Sequence, residues 1–314
     1  MTLAVGIDIG GTKIAAGVVD ASGTILARVR RATPSQDPAM VEALVAEAVA
    51  ELRQEHEVVS VGIGAAGWVD ASRHTVLFAP NLAWRNTPLY ADLSRLLDLP
   101  VVVENDANAA AWGEYCFGAG EHHPDTVVLT IGTGIGCGLI IDGKLRRGQF
   151  GIGGEPGHMR VVPDGRPCGC GNLGCLEQYC SGTALVRAAR AMAEQRPAEA
   201  GRLLELAAGD AELINGPVVT QAAHEGDAAA IGCFEEIGRW LGQGIADLAA
   251  ILDPGRFVIG GGVVDAGELL LRPAREHYAA VLSGRGHRPL ADIVPARLGP
   301  DAGMIGAADL ARTA

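Results

Sequence analysis

From Leu3 the chain runs apolar to Ile9, breaks at Gly10-Gly11, and runs apolar again to Val19. It then turns at Ser22-Gly23 and continues in β-rich sequence to about Arg31. Short apolar runs bounded by glycine turns predict a three-stranded meander. Pro34 and Pro38 interrupt it, and Val41, Leu44, Val45, Ala48, Val49 and Leu52 then recur at helical spacing, which predicts a helix over Met40 to Arg53. Val58 to Ile63 reads as a further strand closed by Gly64 to Gly67. A loop from Phe78 to Pro88 leads to a short helix over Leu89 to Leu97. Val101 to Val103 then forms a short buried strand ending in the polar residues Glu104-Asn105-Asp106, with a helix from about Ala107.

The pattern returns later in the chain. At an offset of 122 residues Val5 to Asp20 lies over Val127 to Asp142, with Ile9-Gly10 on Ile131-Gly132 and Val18-Val19-Asp20 on Ile140-Ile141-Asp142. One hairpin design used twice predicts two lobes of common plan. Beyond the second hairpin lies a Gly/Cys-rich loop, Gly148 to Gly174. Helical sequence then runs from Gly182 to about Leu252, interrupted near Asn215-Gly216-Pro217. Arg256 to Ile259 is a strand entering Gly260-Gly261-Gly262, Asp265 with Glu268 fits a capping box opening a helix at Ala266, and Gly303 to Ala314 carries a last apolar helical face. The expected division is a small lobe over 1–118, joined by the C-terminal helix 300–314, and a larger lobe over 119–299 that carries the cysteine loop. A length of 314 residues suits two such lobes.

Charge and cysteine usage narrow the class. With 25 Lys+Arg against 37 Asp+Glu the net charge is −12, which argues against a nucleic-acid binder, since that affinity comes from basic residues neutralising phosphates. The longest apolar stretch, Val127 to Ile141, is shorter than a bilayer span and is broken by Thr130, Thr133 and its glycines, so no membrane partner is expected. The first residues show no basic n-region and Asp8 breaks the early apolar run, so a cytoplasmic protein is expected. Seven cysteines, three of them crowded at 168, 170 and 175, fit a reducing compartment and a metal clip better than disulfides.

Two glycine turns are candidates for binding phosphate. In the first, backbone N–H groups of Gly10 and Gly11 can approach a phosphate, with the Thr12 hydroxyl and Lys13 ammonium nearby and Asp8 placed to hold Mg²⁺ through water. Gly132, Thr133 and Gly134 open the second, and Gly260, Gly261 and Gly262 offer a close backbone platform for a base or sugar. At the second turn no G-x-G-x-x-G frame fits, and the chain holds no P-loop sequence. The same glycines also fit ordinary hairpins that need only positive φ; two related turns, each with Thr, favour a nucleotide-dependent phosphotransferase.

Phosphoryl transfer needs a carboxylate within reach of the attacking hydroxyl, and Asp106 is the candidate, with the N-cap of the following helix as its alternative role. Asn105 suits a sugar hydroxyl, and Glu155, His158 and Glu177 add the groups of a polyol pocket. His158, Cys168, Cys170 and Cys175 give H-x9-C-x-C-x4-C, a closed tetrahedral structural Zn²⁺ set in which the second imidazole nitrogen can face a substrate hydroxyl. Cys116, Cys137, Cys180 and Cys233 read as core thiols, Cys180 being the rival ligand.

These residues together resemble the ROK kinases (repressor, open reading frame, kinase) of the sugar kinase/Hsp70/actin superfamily. The likeness covers Val5 to about Gly306. It rests on Asp8 to Lys13, Gly62 to Gly67, Ala79 to Leu82 with Trp84, Glu104 to Ala109, Ile131 to Gly138, Gly154 to His158, Cys168 to Glu177 and Gly260 to Gly262. The resemblance implies an α/β, two-lobed ribonuclease H-like fold with a central cleft, ATP within it, and transfer of its γ-phosphoryl group to the 6-hydroxyl of a hexose, glucose being the expected one. It implies Asp106 as general base, sugar contacts from Asn105, Glu155, His158 and Glu177, zinc on His158, Cys168, Cys170 and Cys175, and a dimer or tetramer. Sugar-sensing repressors of the family carry a helix-turn-helix ahead of this part. Here the first turn begins at Asp8, so a repressor is not expected.

Overall fold

The computed structural model describes residues 2–314. Strands β1 (Leu3–Ile9), β2 (Lys13–Val19) and β3 (Ile25–Ala32) form the expected meander. Helix α1 (Pro38–Leu52) follows, with Asp37 accepting the Met40 N–H as its N-cap and Pro38 in its first turn. It buries Val41, Val45, Ala48, Val49 and Leu52. Strand β4 (Val58–Ala65) leads to three very short strands, β5 (Trp68–Val69), β6 (Val76–Phe78) and β7 (Arg85–Thr87), which pair as a separate small sheet. Their length explains why Phe78 to Pro88 reads as loop: two or three residues show no period. Helix α2 (Leu89–Leu96), strand β8 (Val101–Asn105) and helix α3 (Asp106–Phe117) complete this part.

The second hairpin is β9 (Thr126–Ile131) and β10 (Ile135–Ile141), followed by β11 (Lys144–Arg146). The long helical region breaks more often than its Asn-Gly-Pro signal indicates, into α4 (Glu177–Cys180), α5 (Gly182–Gln195), α6 (Gly201–Leu206), α7 (Gly216–His224) and α8 (Ala228–Leu252). After β12 (Arg256–Gly260) the expected capping box does not form. Gly262–Ala266 is a 3-10 turn, Gly267 takes φ 58°, and α9 (Glu268–Val281) starts only there. Strand β13 (Asp292–Pro295), unexpected from the sequence, is a four-residue edge strand ending in proline. Helix α10 (Ala302–Arg312) closes the chain.

The two large sheets have the same plan, β3-β2-β1-β4-β8 and β11-β10-β9-β12-β13, a meander followed by two crossover strands. By contacts the chain forms two compact units. One comprises Met1–Val128, Cys137–Gly154 and Ala296–Ala314, and the other Leu129–Gly136 and Glu155–Pro295. The first unit thus includes 119–128, 137–154 and 296–299, beyond the 1–118 and 300–314 expected from sequence. Among the described residues no helix is long and apolar enough to cross a membrane.

Helix α10 is the most buried element of the first unit, with every residue from Ala302 to Ala311 inside. Its backbone lies against β1 and β4 because two strand residues lack a side chain. A Cβ on Gly6 would fall on the Met304 carbonyl, and one on Gly62 on the Ala307 carbonyl. Backbone cannot swing aside as a side chain can. Gly62→Ala is therefore expected to cost about 3 kcal/mol and lower Tm by several degrees. Gly232→Ala, on α8 where a Cβ would meet nothing, is expected to leave Tm level or raise it in the same thermal scan.

Candidate active site

In the first unit the sheet register aligns the candidate residues. β1 and β4 run parallel with Asp8 opposite Gly64 and Ile9 opposite Ala65, and β8 continues the rows with Glu104 opposite Gly64 and Asn105 opposite Ala65. The first glycine turn and the Asn105-Asp106 pair therefore leave the same carboxyl edge of the sheet, two strands or about 10 Å apart. Such edges are where open α/β sheets bind ligands.

The turn itself is held from below. Gly10 donates to the Lys13 carbonyl (3.0 Å), the Thr33 hydroxyl donates to the Gly10 carbonyl (2.8 Å), and the Thr33 N–H to the Thr12 carbonyl (3.1 Å). Thr12 and Lys13 stay exposed and Asp8 is half-buried. Burial pushes the Asp8 carboxyl above the usual carboxylate range, against the pull of the Lys13 ammonium. A carboxylate that resists ionisation gains from a nearby cation, which fits the expected Mg²⁺.

At the start of α3 the capping role falls to Asn105. Its Oδ1 accepts the Asn108 N–H (2.9 Å), while its Nδ2 donates to the Gly67 carbonyl (3.0 Å) and to Asp106 Oδ1 (2.9 Å). The Ala107 N–H also reaches Asp106 Oδ1 (2.9 Å). Asp106 is thus the first helical residue, and the alternative reading of it as N-cap is set aside. Two donors on one oxygen fix the plane of its carboxyl group.

In the second unit, Gly132 and Thr133 meet the N-terminus of α5. The Gly182 N–H donates to the Gly132 carbonyl (2.7 Å) and the Thr183 hydroxyl to the Thr133 carbonyl (2.7 Å). Gly261, at φ 85°, backs directly onto Ile131, where a Cβ would strike backbone. Beside Thr133 opens a groove of about 620 Å³ lined by Thr183, Val186, Arg187, Arg190 and Gly216 among others. These residues escape sequence reading because they lie on helices whose apolar period carries no chemical signal. The Ser181 N-cap before Thr183, which accepts the Ala184 N–H, was the one available hint.

The cysteine loop brings its four expected ligands together. His158 Nδ1 and the Sγ atoms of Cys168, Cys170 and Cys175 all lie within 4.8 Å of one another. Cys168 Sγ is 3.7 Å from His158 Nδ1, and Cys170 Sγ is 3.7 Å from Cys175 Sγ. Ligands at tetrahedral angles on zinc are separated by about 3.6 to 3.8 Å, so these two contacts already have zinc spacing, and none of the other separations exceeds 4.8 Å. Gly171 at φ 92° and Gly174 at φ 74° provide the bends. Cys180 is excluded as a ligand: its thiol donates to the Leu176 carbonyl, and burial, with Glu177 adding to it, pushes it well up from the usual thiol range.

With Nδ1 facing the sulfurs, His158 Nε2 lies 3.9 Å from Glu155 Oε2. Glu177 accepts the Ile135 N–H (2.9 Å), and its carboxylate fills the space a side chain on Gly134 would need. Within this unit the expected polyol residues Glu155, His158 and Glu177 are therefore tied to the metal cluster and to the second glycine turn.

The profile of the ROK family matches residues 4–314. The chain is 52% identical over 312 residues to a glucokinase of Streptomyces coelicolor, covering 99% of this chain and 98% of that one. A crystal structure of a ROK family glucokinase from Streptomyces griseus in complex with glucose and AMPPNP superposes with a TM-score of 0.91 at 53% identity, covering 99% of this chain and 100% of that one. A ROK hexokinase from Thermus thermophilus superposes with a TM-score of 0.80 at 34% identity, covering 99% and 98%.

Proposed function

The chain belongs to the ROK family, and from that premise we propose that it is a glucokinase, transferring the γ-phosphoryl group of ATP to the 6-hydroxyl of glucose. The observation that carries the chemistry is the register of β1, β4 and β8, which sets the Gly10 to Lys13 turn and Asp106 on one sheet edge. The choice of glucose follows the relatives that are themselves glucokinases, one of them in complex with glucose and AMPPNP.

In this reading Asp106 accepts the proton of the 6-hydroxyl as the phosphoryl group is transferred, and Asn105 orients the sugar beside it. Glu155, His158 and Glu177 bind further hydroxyls. In the first unit Gly10, Gly11, Thr12 and Lys13 offer N–H, hydroxyl and ammonium donors to phosphate, and in the second Gly132, Thr133 and Gly134 offer their own, helped by the N-terminal dipole of α5. Gly260, Gly261 and Gly262 and the groove lined by Thr183 and Val186 take the nucleoside. Asp8 would hold Mg²⁺ through water, where the ion neutralises phosphate charge. His158, Cys168, Cys170 and Cys175 would hold Zn²⁺, whose role is architectural: a closed site leaves no position for substrate. A cytoplasmic location accords with three ligand thiols that must stay reduced, and an assembly of two or four copies is part of the same reading.

A coupled ADP-release assay over glucose, fructose, mannose, N-acetylglucosamine and N-acetylmannosamine tests the assignment. Glucose is expected to exceed each rival in kcat/KM by about tenfold or more. A tenfold preference for either hexosamine overturns it.

A further inference from the structure

Directly behind the Asn105-Asp106 pair lies a charged cluster that none of the roles above uses. Glu104 is 1% exposed, and its two oxygens face opposite ways. Oε1 accepts the Asn105 backbone N–H (3.0 Å) and the Asn108 side-chain amide (3.1 Å). Oε2 meets Arg73 Nη2 at 3.0 Å and Arg147 Nε at 3.6 Å. Neither arginine belongs to the sheet. Arg73 sits at φ 64° in the turn between β5 and β6, a conformation unfavourable for a side-chain-bearing residue. Arg147 begins the glycine loop after β11, and that loop is docked on the same turn: Arg147 Nη2 donates to the Ala71 carbonyl (3.3 Å), and Gly151 has no room for a Cβ against Asp70 and Ala71.

A buried carboxylate between two guanidinium groups is a poor source of stability, because desolvation offsets most of the attraction. It can fix geometry on its Oε1 side, where both partners form directional hydrogen bonds, while the two arginines on Oε2 are ion pairs outside hydrogen-bond geometry and hold the carboxylate by charge. Here the partners on one oxygen are the backbone of Asn105 and the side chain of Asn108, the residue whose N–H Asn105 caps. We propose that Glu104, clamped by Arg73 and Arg147, is a positioning residue for the Asn105-Asp106 pair, joining the 70–75 turn and the 147–153 loop to the proton acceptor through one carboxylate.

The inference rests on the assignment of Asp106 as base, and its test separates the two. Glucose-dependent ADP release by the unsubstituted protein, and its loss in Asp106→Asn, decide the base assignment. Glu104→Gln, assayed well below its own Tm, is expected to lower kcat on the order of 10²-fold, the effect of a small misplacement of a reacting group, with KM for ATP changed less than about threefold. In the Asp106→Asn background the same substitution is expected to lower the residual rate no further; a second full loss there, or a normal kcat in Glu104→Gln alone, overturns the proposal. Because an unpaired pair of arginines can unfold the variant, Arg147→Met and Arg147→Lys form a second arm. Reduced kcat in the first, restored in the second at equal Tm, is expected, and full activity in Arg147→Met overturns the proposal.

Discussion

Asp106→Asn is expected to lower kcat by about 10³-fold, within the range of a lost general base, which is about 4 kcal/mol of transition-state stabilisation. The substitution is nearly isosteric. An amide oxygen can still accept from Asn105 Nδ2 and the Ala107 N–H, so the start of α3 and the sugar contact of Asn105 are kept. Glucose binding measured by calorimetry should accordingly stay within a few fold of the parent, and Tm should not move. What disappears is the capacity to take a proton, since an amide is not basic at neutral pH. Asp106→Ala is expected to lose as much rate and some glucose affinity, because Asn105 Nδ2 then loses a partner. A kcat within about tenfold of the parent in the asparagine variant would contradict proton removal by this residue.

Removal of the proposed zinc is expected to have the second large effect. The segment from Pro167 to Leu173 is mostly exposed and is tied by two isolated bridges, Arg160 with Cys175 and Pro167 with Leu173. It has little apolar core of its own. Structural zinc sites contribute on the order of 10 kcal/mol to the folding of small domains, so Cys168→Ser is expected to abolish stoichiometric zinc and release His158. Glucose KM should rise about tenfold or more, the usual loss on disturbing a metal-supported ligand. KM for ATP should change less, because the Gly132 to Gly134 turn is also tied to Gly182 and Thr183. Cys180→Ser, outside the ligand set, should retain zinc. Elemental analysis beside steady-state kinetics reads both variants, and full activity in zinc-free protein would break the link between metal and sugar site.

The two hairpins, the clustering of His158 with Cys168, Cys170 and Cys175, and the strand ending at Asn105 are all legible in the chain because each is decided within a few residues. A hairpin needs two apolar runs with a short break between them, a tetrahedral site needs thiolates and an imidazole at loop spacing, and a buried strand needs a short apolar run. The repeat at an offset of 122 residues likewise shows directly, and the matching strand orders of the two sheets agree with it. Where local signals compete, sequence reading fails. Asp265 and Glu268 have the composition of a capping box, yet the positive φ of Gly267 starts α9 later. The strands β5, β6, β7 and β13 are too short to show a period.

By sequence alone this protein is specified down to its local elements and its family: which residues form the two hairpins, which His and Cys cluster in the loop, and which strand ends at Asn105. Tertiary structure decided their partners. The shared edge of Asp8 and Asn105, the burial of α10 on Gly6 and Gly62, and the clamp of Arg73 and Arg147 on Glu104 join residues tens to hundreds of positions apart. Such pairings are set by strand register and by the exclusion of water from the core, which are properties of the assembled chain and leave no period or spacing in any short window of it.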